Sequence, residues 1–105
     1  MADFPERDWK YLRCIHDEML ETLSQRMNDE LRAVLARTDI SENEKRGEIY
    51  DLVKKRDRVV ADCFDDWRRS TIALRCAVLK HEGLLTPEHM KRLAPETQEW
   101  LKQFG

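Results

Sequence analysis

The sequence predicts an all-α protein, and three observations carry that prediction. Charged residues make up 38% of the 105-residue chain and hydrophobic ones 41%, with only three Gly and three Pro, a profile that suits helical bundles and leaves little for the turns of a sheet. Apolar residues recur at helical spacing over long runs. The segment from Ile49 to Leu79 contains neither Gly nor Pro, so nothing in its backbone chemistry stops a helix. A chain of this size makes one domain around one modest core, hiding about two-thirds of its unfolded surface.

The first helix is expected over about residues 5–37. Asp3, Pro5 and Glu6 put acid and a proline at its start, where the helix dipole is positive and a missing N–H is harmless. Leu12, Leu23 and Val34 recur every 11 residues with Ile15, Met19 and Met27 between them, a period that tracks a nearly straight helix. At 1.5 Å per residue such a helix is about 48 Å long. Leu20, Leu31 and Leu35 widen its apolar face beyond what one antiparallel neighbour covers.

Thr38-Asp39-Ile40-Ser41 reads as the hinge, and Ser41 followed by Glu44 has the capping-box spacing that opens a second helix. That helix is expected to tolerate Gly47 and run to about residue 82. Ile49, Leu52, Val53, Val60, Cys63, Phe64, Trp67, Leu74 and Val78 share one side of it. Ile72, Cys76 and Leu79 add apolar side chains opposite, so its last third should be covered on most sides. Asp65-Asp66 and Ser70-Thr71 are candidate breaks, but the apolar phase carries through both, which favours one continuous, at most bent, helix. Gly83 before Leu84 fits a left-handed C′ residue with its hydrophobic contact. Thr86-Pro87-Glu88 then opens a short helix over about 87–93, and Pro95-Glu96 opens another over about 95–104 carrying Trp100, Leu101 and Phe104.

Length adds a constraint that composition does not. A compact globule of this size has a radius of gyration of roughly 13 Å, and both main helices are longer than it is wide. They are expected to project as an antiparallel pair and to be covered by a second chain. The homodimer and its core would draw on Leu23, Met27, Val60, Phe64 and Trp67.

The chemistry-bearing residues point away from catalysis. Cys14, Cys63 and Cys76 with His16, His81 and His89 match no metal-ligand spacing, and Cys14 and His16, two apart on a helix, point in different directions. No Gly-rich loop is present to cradle a phosphate. The reading is therefore a protein without metal or cofactor, and not an enzyme. A formal charge of −2 and a pI near 5.9 supply no field for nucleic acid or an anionic membrane. No apolar run approaches the 18 residues of a membrane span. An odd cysteine count without CxxC, behind the acidic opening Met1-Ala2-Asp3-Phe4, leads to the expectation of a soluble protein of the reducing cytoplasm. Lys80 to Leu93 has the outline of a helix-turn-helix, but only Lys91 and Arg92 would face a phosphate, which favours a capped tertiary turn.

Two features of the central helix stand apart. The run Lys54-Lys55-Arg56-Asp57-Arg58 with Asp62, Asp65, Asp66, Arg68 and Arg69 reads mainly as a solvated face, with Arg58–Asp62 and Asp65–Arg69 at i,i+4 spacing. Arg56 is different, because it interrupts the apolar stripe between Val53 and Val60 and needs a partner there. Asp51 or an acid of another chain is the expected partner. As an interface arginine, its removal should spare melting and weaken association.

Ile49-Tyr50-Asp51-Leu52, the Lys/Arg cluster ending in Arg56 or Arg58, Phe64-Asp65-Asp66-Trp67-Arg68, Ser70 and His81-Glu82-Gly83-Leu84-Leu85 together resemble the fluorescence recovery proteins. The resemblance covers roughly residues 41–93, with an echo over 25–37. It implies a small all-helical homodimer that binds the orange carotenoid protein of cyanobacteria and speeds its return to the resting form. It further implies a protein-binding surface at Tyr50, Asp51, Lys55 and Arg56 or Arg58. The tryptophan that the family carries one turn before the aspartate has no counterpart in Arg46-Gly47-Glu48. That departure leaves room for a relative with another protein client in a non-photosynthetic bacterium.

Overall fold

A computed structural model describes residues 4–104. Among them there are five helices and no strand: α1 (Glu6–Leu35), α2 (Glu42–Phe64), α3 (Ile72–His81), α4 (Pro87–Met90) and α5 (Pro95–Leu101). Asp3, read as part of the first helix start, lies outside the described residues, and Pro5 occupies the N-cap position rather than the first turn.

α1 and α2 form an antiparallel hairpin. His16 meets Phe64 near one end, Glu30 meets Arg56 midway, and Arg37 meets Glu48 at the tip. The tip is tied in two further ways. Ser41 caps α2 by accepting from the Glu44 N–H at 3.1 Å. The largely buried Lys45 donates from Nζ to the Leu35 carbonyl at 3.1 Å, satisfying one of the orphan acceptors where α1 ends.

The expected helix over 42–82 is two helices. α2 stops at Phe64, and residues 65–71 turn the chain back so that α3 runs antiparallel to α2. Continuous apolar phase concealed this break, because local side chains supply a stable corner. Asp65 is extended, Asp66 adopts φ 57°, and the Thr71 hydroxyl accepts from the Arg68 N–H at 3.0 Å while donating to the Asp66 carbonyl. Asp66 also pairs with Arg68, and the Trp67 indole N–H donates to the Cys63 carbonyl at 2.7 Å, completing the end of α2. The anticipated Arg58–Asp62 and Asp65–Arg69 pairs are absent among the described ion pairs, and Arg69 instead reaches Glu6 of α1 and the Phe4 carbonyl just before it.

Gly83, at φ 73°, ends α3 in a Schellman arrangement, with Leu84 N–H bonded to Leu79 O at 2.9 Å and Gly83 N–H to Lys80 O at 3.0 Å. Arg26 of α1 adds a guanidinium to the same end, donating to the Glu82 and Gly83 carbonyls at 2.7 and 3.2 Å. α4 is a single turn opened by Thr86. Its capping box uses a histidine, since His89 N–H donates to Thr86 Oγ1 and Thr86 N–H to His89 Nδ1. Nδ1 is thereby an acceptor, so the neutral ring carries its proton on Nε2 and donates it to Glu18 of α1 at 2.7 Å. α5 is anchored by Asp8, fully buried, whose carboxylate accepts from Ala94 N–H at 3.0 Å and the Thr97 hydroxyl at 2.5 Å.

The core sits at one end. Leu12, Ile15, Met19 and Leu23 of α1 pack with Cys63, Ile72, Cys76, Leu79, Leu84, Leu85, Leu93 and Leu101. Past Leu23 no apolar side chain of α1 is fully buried, and of α2 only Cys63 is. The remainder of the hairpin projects as a two-helix arm, giving a molecule 52 × 24 × 24 Å with a radius of gyration of 16.7 Å. Burial pushes the Cys63 thiol up to about 11 and raises that of Cys76 further, so both stay neutral and pack as small apolar groups.

Candidate protein-binding surface

The five residues read as a binding surface lie on α2, but they do not share a face. At about 100° per residue, Asp51 and Arg58 fall within about 20° of each other, two turns apart, with Lys54 and Lys55 beside them and Tyr50 on the flank. All five of these are exposed, Tyr50 at 65%. Lys54, Lys55 and Arg58 line an open groove of about 430 Å³. Arg56 points the opposite way, into the hairpin.

Within the chain it does not meet Asp51. Its partner is Glu30 of α1, in a two-point pair with Nε to Oε1 at 2.9 Å and Nη2 to Oε2 at 2.7 Å. The hydrogen bond to Glu30 raises the Arg56 guanidinium above its ordinary value and holds the Glu30 carboxyl below the usual carboxylate range. Leu23, Arg26, Val59 and Glu82 surround the pair in a small cleft of about 160 Å³. Arg56 therefore fastens α2 to α1 within the hairpin, and Arg58 is the arginine offered to solvent.

Of the residues expected in the core or dimer contact, Leu23 is fully buried, whereas Met27, Val60, Phe64 and Trp67 are half-buried. Phe64 and Trp67 stack at 6.1 Å, and the His16 ring meets both edge-on, at 5.1 and 4.6 Å. This aromatic group lies beside the half-buried Leu20, Met27, Leu31, Val53 and Val60 on the wide apolar face of the hairpin. Leu35, at 56% exposed, continues it toward the tip.

Among the described residues, no group of three or more His, Cys, Asp or Glu side chains is close enough to hold a metal ion. Among the described residues no helix is long and apolar enough to cross a membrane. The Lys80-to-Leu93 turn ends in the four residues of α4, a length that gives it no recognition helix to lay in a groove.

Glu30 and Asp8 escaped the reading of the sequence although each carried a signal. Glu30 lies on the α1 face of Leu23 and Val34, and Asp8 on the face of Leu12, Ile15 and Met19, so each is a charge inside an apolar stripe, as Arg56 is on α2. Glu30 answers the matching charge of Arg56 across the hairpin, whereas Asp8 answers the neutral donors at the start of α5.

Compared with protein-family models, curated proteins and solved structures, the chain matches none of them.

Proposed function

We propose that this chain is a non-enzymatic helical regulator that works as a homodimer and captures a protein client, as the resemblance to the fluorescence recovery proteins implies. The observation that carries the reading is the outer face of α2. Tyr50, Asp51, Lys54, Lys55 and Arg58 are exposed together on an arm that the core does not need. A large aromatic beside mixed charge on a rigid helix is the composition of a protein-recognition patch. The wide apolar face around Trp67, Val60 and Met27 then serves pairing between copies, since half-buried aromatics in a row are poorly placed to face water.

With the orange carotenoid protein as client, the chain would bind its light-activated form and accelerate its return to the resting state. The Arg46-Gly47-Glu48 sequence, where the family carries a tryptophan, favours as a second reading a different protein client for the same surface. Light scattering at low micromolar concentration tests the dimer. Recovery of the purified orange carotenoid protein after illumination tests the client. Acceleration by the native chain, lost on Arg58→Glu with helicity retained, supports the first reading. No acceleration removes that client, and a compact monomer removes the dimer.

A further inference from the structure

We propose that residues 65–71 are a hinge through which α2 and α3 fuse into one helix, so that α3–α5 leave their own α1 and seat on the α1 of a second copy. The proposal rests on the dimer reading above and specifies its geometry.

The first observation is the backbone. The corner holds Asp66 in the left-handed region, which non-glycine residues enter at a cost, and no Gly or Pro lies between residues 48 and 82 to oppose a straight helix. The second is that α3 carries two apolar faces and uses one. Ile72, Ala73, Cys76 and Leu79 are buried, whereas Leu74 is 58% exposed and Val78 half-exposed. Carried through the corner at about 100° per residue, the phase of α2 brings Leu74 and Val78 into line with Ile49, Val60 and Trp67. The unused face of α3 is thus the continuation of the stripe on α2, and the apolar phase across the corner describes the second arrangement.

The third observation concerns where α3–α5 are held. Arg26 to the end of α3, His89 to Glu18, and Ala94 and Thr97 to Asp8 all join α3–α5 to α1. Each of these contacts can be remade unchanged on the α1 of a second copy, which is the condition for exchange of a segment between protomers. The α2–α3 corner is held mainly by bonds among its own neighbouring residues. Arg75 donates to the Asp62 carbonyl at 3.0 Å, while its buried Nε lacks a hydrogen-bond partner among the described residues. Opening the corner gives up the Thr71 and Arg68 bonds that cap it, while fusion supplies helical backbone hydrogen bonds over the same residues and relieves Asp66. The two-fold exchange also lays the Leu74 and Val78 face against the paired chain.

The test uses the Glu18–His89 contact as a reporter. One full-length chain carries Glu18→Cys, another carries His89→Cys, and both carry Cys14→Ser to remove the exposed thiol. The two are unfolded, refolded together and treated with a short bismaleimide. A covalent link between the two kinds of chain is the expected result, because only exchange brings the introduced thiols together across chains. A dimer by light scattering without that link, while a single chain carrying both substitutions links internally, overturns the exchange and leaves the dimer standing. A monomer removes both. Asp66→Ala, which favours helix, should raise the interchain-linked fraction, and Asp66→Gly, which relaxes the left-handed corner, should lower it, the two equilibria differing by about tenfold. Equal linked fractions in the two variants overturn the hinge.

Discussion

Removing Arg56 measures how firmly the two helices of the hairpin are fastened to each other. The Arg56 and Glu30 side chains are 29% and 38% exposed, between the limits for which pair energies are known. Breaking a fully buried pair costs about 3–5 kcal/mol, and a fully exposed one contributes about 0–1 kcal/mol. Two charge-assisted hydrogen bonds in parallel at this depth give a coupling of about 1–2 kcal/mol. The arginine stem packed in the cleft with Leu23 and Val59 adds about 0.5 kcal/mol to the cost of Arg56→Ala. In a domain of this size each kcal/mol moves the midpoint by about 4–8 °C, so melting should fall by roughly 6–20 °C. Urea titrations of the native chain, Arg56→Ala, Glu30→Ala and the double variant isolate the coupling, which should shrink in 1 M salt. A coupling under about 0.5 kcal/mol in 0.1 M salt, or an unchanged midpoint for Arg56→Ala, would refute the view that this pair fastens the hairpin.

Three further outcomes follow from single contacts. Asp8→Ala strands the Ala94 N–H and the Thr97 hydroxyl inside the core and should cost about 3 kcal/mol, while Asp8→Asn, which can keep both bonds, should cost about 1 kcal/mol, both read by urea denaturation. Trp67→Ala should destabilise by about 2–3 kcal/mol, below the value for a wholly buried tryptophan because the ring is only half covered, and Trp67→Phe by about 1 kcal/mol through loss of the bond to Cys63. The folded chain holds the Cys63 proton up to about pH 11, whereas the unfolded thiol releases it near its ordinary 9.0. Between those values the folded state binds more protons, so stability is full below the lower one and falls as pH rises, by up to about 1.4 kcal/mol per pH unit. Thermal melts from pH 8 to 11 should show a decline that Cys63→Ala reduces.

Much of this protein was legible in its sequence because the signals are local. The two apolar stripes placed the long helices, Ser41 and Thr86 opened α2 and α4 through their own hydroxyls, and Gly83 closed α3 because it alone enters the left-handed region freely. Even the projecting shape followed from helix length against chain length. The tertiary structure decided what depended on residues far apart in the chain. It chose Glu30 over Asp51 as the partner of Arg56, a choice settled by hairpin register across 26 residues. By turning Arg56 inward it left Arg58 beside Asp51 on the outer face. It drew Asp8 under α5 from the far end of the chain. It also broke the central helix at Asp66, where the apolar period ran on unbroken. Apolar phase records which faces want burial, not which neighbour buries them, and α3 carries one face for each of two answers.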